Sequence, residues 1–271
     1  MDTGFDFISQ EGFVRAIFFA VIFSGVALAE RAVPRRPPGV SKIRRWAANL
    51  LMQAIDVVAA RLLFPVLPVG LALLCAQKGW GLFNYAPPPY PAAVIAGVLL
   101  LDLVIYVQHV LFHRTPVLWR LHMVHHTDRD IDVTTGIRFH PLEILLSLVI
   151  KMAAVAALGA PAAAVLIFEI LLNGATMFNH GNIGIPLGLD RLLRFGVVTP
   201  DMHRVHHSVL FRETNSNYGF SFSWWDRLFG TYKAQPEAGH EKMEIGLHGY
   251  QDERALRLSS LLVMPFLYGR K

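Results

Sequence analysis

Residues 92–126 read AAVIAGVLLLDLVIYVQHVLFHRTPVLWRLHMVHH. They join an apolar run long enough for a bilayer, which needs about 20 residues, to a burst of histidines. His109 and His113 stand four apart where the run ends, and His122, His125 and His126 follow as H-x-x-H-H. His203, His206 and His207 repeat that spacing, and His140 and His180 lie between the two sets. On a helix, positions i, i+3 and i+4 share a face, so each H-x-x-H-H is expected to point three imidazoles the same way. Three adjacent imidazoles in an apolar chain imply something that binds them, and a metal site is the first expectation.

Working outward, the chain has 271 residues, of which 54% are hydrophobic and only 17% charged, with a mean hydropathy of +0.41. That balance departs from a soluble domain and indicates an all-α, polytopic membrane helical bundle. Apolar runs are read at Gly12–Ala29, within Leu50–Gln77 (Asp56 and Arg61 giving its first turns an interfacial look), at Ala92–Phe112, and at Leu142–Leu158 and Pro161–Phe178. The last two join at Gly159-Ala160-Pro161, as two spans or as a hairpin that dips and returns. The N-terminus is acidic, unlike a cleaved signal peptide, so the first run is read as retained. Cys75 is the sole cysteine and excludes an internal disulfide. The net charge of +5 is no nucleic-acid signal. It gathers at Arg31, Arg35, Arg36, Lys42, Arg44 and Arg45, which read as a cytoplasmic loop under the positive-inside rule. Alternating the runs from there puts all ten histidines on the cytoplasmic face, in a helical cap.

Local signals place the histidines on helices. Thr115-Pro116 and Thr199-Pro200 each set a capping residue before proline. Asp102, Tyr106, His109 and His113 recur on one face of the third run. Asp102, ionisable inside a span, is expected either to orient a histidine ligand or to meet a buried arginine. His180 is read as a ligand. His140 and Glu143 open the fourth run, and with Asn179 are candidates for a place behind the ligands or as ligands themselves; His140 also suits a helix start. His240 and His248 read as structural. Nine imidazoles are too many for one four-coordinate zinc and suit two ions of four or five nitrogens each. The zinc-protease H-E-x-x-H is absent, and the one Glu-x-x-His pair, Glu237 and His240, lies in a polar segment. The aromatic patch Phe220, Phe222, Trp224, Trp225, Phe229 and Tyr232 reads as an interfacial anchor or as a substrate wall. Tyr106, Trp224 and Trp225 are candidates to line it, and Asp226 and Arg227 to pair within it.

His109-x-x-x-His113, His122-x-x-His125-His126 and His203-x-x-His206-His207 resemble the three histidine boxes of the fatty acid hydroxylase / sterol desaturase superfamily. Leu118–His122, Thr134–Pro141, Asn179–Asn182, Thr199–His203, Asn217–Gly219 and Trp225–Thr231 resemble its flanking segments. Val110 departs from the pattern, since many relatives carry arginine after the first box histidine. The resemblance implies a membrane-bound non-haem di-iron oxidoreductase. Such an enzyme uses O2 and external electrons to hydroxylate or desaturate a C–H bond of a lipid such as a sterol or fatty acyl chain. It divides the chain into a membrane extension (1–90), a catalytic domain (91–235) and a cytoplasmic tail (236–271). With no Cys-rich cluster, C-x-x-C-H or G-x-G-x-x-G in the chain, the electrons are expected from a separate donor protein, docked on the basic cytoplasmic surface. Two other readings stand beside it. A metal-dependent membrane hydrolase would need an acidic base beside the metals. A non-catalytic metal or haem carrier would need fewer histidines.

Overall fold

The structure is a computed structural model and describes residues 10–267. The principal helices are α1 (Glu11–Ala32), α2 (Lys42–Leu63), α3 (Pro68–Lys78), α4 (Tyr90–Arg114), α5 (Pro116–His126), α6 (Pro141–Leu158), α7 (Ala162–Asn179), α8 (Pro200–His206), α9 (Trp224–Leu228) and α10 (Leu258–Leu267). Among the described residues there is no β-strand, only three isolated bridges. Five segments are long and apolar enough to cross a membrane, the α2–α3 stretch counting as one. Their outward faces carry Phe13, Ile17, Val21, Leu62, Ile95 and Leu111, all exposed, as lipid-facing residues would be.

The second apolar run differs from expectation. Its helix starts earlier, at Lys42, and breaks between Phe64 and Leu67 before restarting at Pro68. Pro65 disfavours helical geometry at Phe64, and Pro68 sits at the first position of α3, where no amide hydrogen is needed. The α6–α7 pair consists of two 18-residue helices, each about 27 Å long. Gly159, at φ +62°, ends α6 in the left-handed conformation that favours glycine.

The central core is built by Leu101 and Ile105 of α4, Val155 of α6 and Val165 and Phe168 of α7, with Val69 and Ala72 of α3. At the histidine end a buried polar network takes over. Arg45 forms a bidentate pair with Asp128 (2.6 and 2.9 Å) and reaches Asp132 at 2.8 Å. Arg138 donates to the Val124, Asn49, Thr127 and Ala255 oxygens at 2.9–3.0 Å. Burial alone raises the Asp128 pKa, but Arg45 and then Arg138 outweigh it and hold the carboxyl at about 2. This network fixes the loop between the second histidine box and α6.

Three sequence expectations change here. Arg45 belongs to this buried network and not to a basic surface. Arg35 pairs with Asp201, and Arg36 donates to the His240 and Met243 carbonyls, so half of the basic cluster is spent inside the fold. The described part of residues 1–90 packs into the bundle, α1 along α7 and α2 against α6. The tail is built in as well: Leu261 and Met264 of α10 pack on Met52 of α2 and on Met123 and Val124 of α5.

Candidate metal centre

α4 leaves the core with Leu101, Asp102, Ile105, Tyr106, His109 and Phe112 buried along one face. A single residue, Thr115, separates it from α5, so His109 and His113 face His122 and His126 across the bend. α8 approaches from the other side, capped by Thr199, whose side chain accepts from the Met202 amide. Thr115 makes no such bond.

The nine expected histidines come together in two groups. His109, His113, His122, His126 and His206 form one; His125, His180, His203 and His207 form the other. Within each, one nitrogen per ring lies within 4.8 Å of all the rest. The two H-x-x-H-H motifs therefore do not each serve one point, as the shared-face argument implied. At 100° per residue, positions 125 and 126 lie to opposite sides of 122. His122 and His126 turn to the first group and His125 to the second, whereas α8 sends His206 to the first and His203 and His207 to the second.

The hydrogen bonds decide which nitrogens are free. His109 Nδ1 donates to the Tyr218 carbonyl (2.7 Å), His122 Nδ1 to Glu143 (2.6 Å) and His125 Nδ1 to the Arg138 carbonyl (3.2 Å). His180 Nδ1 donates to the Thr176 carbonyl and His206 Nδ1 to the Ser216 carbonyl, each at 2.7 Å. An oxygen acceptor places the proton on Nδ1 and leaves Nε2 as a bare lone pair. Those Nε2 atoms converge. His109 and His122 are 3.1 Å apart, and His180 lies 3.1 Å from each of His125, His203 and His207. Between His109 and His122, and between His125 and His180, both lone pairs are bare, and at such distances they repel unless a cation sits among them. Burial pushes His122 down to about 3 and His180 to about 4, and holds His125, His126, His203, His206 and His207 well below the usual range, so the rings are neutral and ready to ligate. Both nitrogens of His113 and His126 are buried without a hydrogen-bond partner among the described residues. A pair of first-row transition-metal ions fits these donors.

The other candidates separate. Glu143 stands behind His122, accepting from its Nδ1. His140 belongs to neither group: it caps α6, accepting from the Leu142 amide at 3.2 Å. Among the described residues Asp102 orients no histidine and meets no arginine, but accepts from the Trp225 indole at 2.9 Å. Asn179 donates to the Phe220 carbonyl (2.9 Å) and so holds the loop that bears Tyr218. Tyr106 bonds Thr231 and stacks on Phe229, and Trp224 stacks on Phe222. Neither these two nor Trp225 reaches the internal cavity described below. Asp226 accepts from the Tyr218 and Gly219 amides, and Arg227 turns to the Arg194 carbonyl, so the two do not pair. Histidine spacing gave no sign of the carbonyls that orient the rings, although Arg138 and Tyr218 lie in flanking segments singled out for their resemblance.

A cavity of about 460 Å³ runs from His109 and His122 into the membrane part of the bundle. Ile105, Phe112, Phe139, Leu148 and Phe220 supply apolar wall, and Glu143 lies beside the histidines. The size and mixed lining suit a small amphiphile or part of a larger one.

Comparison with known proteins agrees with this geometry. The chain is 30% identical over 169 residues to ornithine lipid hydroxylase OlsE of Rhizobium tropici, covering 61% of this chain and 49% of that one, so it spans about half of that relative's length. It is 27% identical over 245 residues to cholesterol 25-hydroxylase of Rattus norvegicus (84% and 80% covered) and 26% identical over 175 residues to alkylglycerol monooxygenase of Homo sapiens (63% and 36%). No solved structure matches the chain. Residues 94–231, just over half of the sequence and the stretch holding all nine clustered histidines, match the fatty acid hydroxylase model, and the chain belongs to the fatty acid hydroxylase family.

Proposed function

We propose that this protein is an integral-membrane, non-haem di-iron lipid hydroxylase. The observation that carries the reading is the convergence of nine neutral imidazoles into groups of five and four at the end of a membrane-embedded cavity. Two iron ions, the first held by His109, His113, His122, His126 and His206 and the second by His125, His180, His203 and His207, would supply O2 activation when bound. One oxygen atom enters a C–H bond as hydroxyl and the other leaves as water, with two electrons and two protons from outside. The relatives' names describe hydroxylases and a monooxygenase, which favours hydroxylation over desaturation here.

The chain's own residues bind, orient and shield. Glu143 and four backbone carbonyls lock the rings, which keeps each Nε2 available. Phe112, Phe139 and Phe220 exclude water beside His109 and His122 and hold an alkyl segment against them. The ends of α1, α4 and α7 and the starts of α2 and α6 meet at the histidine end, where Arg31, Lys42, Arg44 and Arg114 also lie. The positive-inside rule then makes this face cytoplasmic. A separate reductase or electron carrier would deliver electrons there.

The test is anaerobic reconstitution of the full chain in detergent, followed by reductant and O2 with membrane lipids and mass spectrometry. Expected are two irons per chain and a lipid gaining 16 mass units, with His206→Ala abolishing the product and lowering iron content. Full activity in metal-stripped protein, or an unimpaired His206→Ala variant, overturns the proposal.

A further inference from the structure

The cavity is shut at its histidine end and open at its side. At the histidine end His109, Phe112, His122, Ile137, Glu143 and Phe220 are all buried. Among the described residues that line it, only Gly12 and Ala16 of α1, Val57 and Arg61 of α2 and Asn173 of α7 are exposed. Four of these five lie on α1 and α2, which pack on different partners, α7 and α6. The two helices meet at the histidine end, where Phe23 and Trp46 make an edge-on contact with ring centroids 5.6 Å apart. They approach again at the far end, where a methyl group on Gly12 would lie 3.7 Å from the Arg61 guanidinium. Between these crossings, Ala16 and Phe19 on one side and Gln53 and Val57 on the other border the cavity. The gap runs from Phe23 to Gly12 on α1 and from Trp46 to Arg61 on α2, about 16 and about 22 Å at the helical rise. Each helix satisfies its own backbone, so parting two of them inside a bilayer leaves no amide or carbonyl unpaired. The ion pair of Arg15 with Glu169, at 2.9 Å, ties the outer part of α1 to α7 rather than to α2. Beside the gap stand Phe13, Ile17, Val58 and Leu62, all exposed. Those apolar flanks, on helices long and apolar enough to span, put acyl chains and not water at the opening.

We propose that the gap between α1 and α2 is a lateral window through which the alkyl part of a bilayer lipid enters the cavity. The leading end then reaches Phe112, Phe139 and Phe220 beside His109 and His122. An alkyl chain that enters sideways exchanges one apolar surrounding for another, whereas a route from the cytoplasmic face would carry it through water. The window rests on the lipid-hydroxylase reading for its purpose, but its frame stands on the packing of the two helices alone.

Labelling of a thiol placed inside the cavity tests it, with the full chain in nanodiscs of dioleoyl phosphatidylcholine. Ser147 of α6 lines the cavity, and Ser147→Cys changes one atom; Ile144→Cys, in the same wall, is the second site. The native Cys75 is fully buried away from the cavity, and the unaltered chain serves as the blank. N-dodecylmaleimide arrives from the bilayer and N-(2-sulfoethyl)maleimide, of the same reactivity, from water. Expected is faster labelling by the dodecyl reagent. Filling the gap with Ala16→Trp and Val57→Trp should slow that labelling at least about tenfold, while Ile17→Trp, on the outward face, leaves it unchanged. An undiminished rate in a gap-filled protein that keeps its thermal midpoint overturns the proposal, as does equal slowing by Ile17→Trp. Where the gap-filled protein does not fold, the two reagents on the open protein decide: a dodecyl reagent that labels no faster than the sulfoethyl one overturns the window. Labelling needs neither metal nor turnover, so a working window without lipid oxidation would count against the hydroxylase reading and not against this one.

Discussion

Removing the carboxylate behind His122 weakens one metal group and spares the other. Glu143 accepts from His122 Nδ1 at 2.6 Å with both side chains buried, the geometry of a strong charge-assisted bond. Such a bond contributes about 1.5–3 kcal/mol, and Glu143→Ala leaves the ring proton unpaired away from water. At about 1.4 kcal/mol per tenfold, ferrous affinity of the five-histidine group should fall roughly 10- to 100-fold. Glu143→Gln keeps an acceptor without the charge and should fall between. The four-histidine group has its own acceptors, the Arg138 carbonyl for His125 and the Thr176 carbonyl for His180, and should titrate as in the wild type. An anaerobic Fe(II) titration against a chromogenic chelator separates the two classes. Identical curves for wild type and Glu143→Ala, or equal weakening of both classes, would refute the assignment of ligands to groups.

A methyl group at Gly136 would lie 2.7 Å from the Thr176 carbonyl oxygen, the acceptor that orients His180. Gly136→Ala should therefore cost metal from the four-histidine group first, and a variant with full metal content would argue against that coupling. Arg45→Ala leaves Asp128 and Asp132 buried without their cation and should destabilise the fold by about 3–5 kcal/mol, seen as a lower thermal midpoint in detergent. Acidification should act through the histidines. The folded values for His122 and His180, about 3 and about 4, lie below the ordinary imidazole value of 6.5. Between those limits the unfolded chain binds more protons than the folded one, so stability falls as pH drops below 6.5, by about 1.4 kcal/mol per unit for each such histidine. The thermal midpoint and the bound metal should decline together from pH 7 to 5, and a flat midpoint over that range would contradict it.

Much of the site was legible in the sequence because metal ligation constrains residue type and spacing together. The eight box histidines follow from periodicity and His180 from its place at the end of an apolar run. Their division between two groups was not legible, because one helical face is wide enough to serve two points and only the partner helix decides which ring turns where. Asp102 shows a second limit. A carboxylate in a span signals that it has a partner, but the Trp225 indole, 123 residues away, is not encoded locally. Arg45 looked like a topogenic surface charge because its counter-ions, Asp128 and Asp132, lie beyond three further helices in the chain, α3, α4 and α5. Hydropathy placed α1 and α2 in the membrane but said nothing of the cavity wall that they build.

The crossed assignment of the two H-x-x-H-H motifs has an engineering consequence. Excising either motif would strip donors from both groups, so truncation is no clean route to a protein with a single intact group. To reach one, substitutions must run diagonally, taking His125 from one motif with His203 and His207 from the other, or His122 and His126 with His206. Each motif thus contributes donors to both groups, and the loss of either leaves neither group complete.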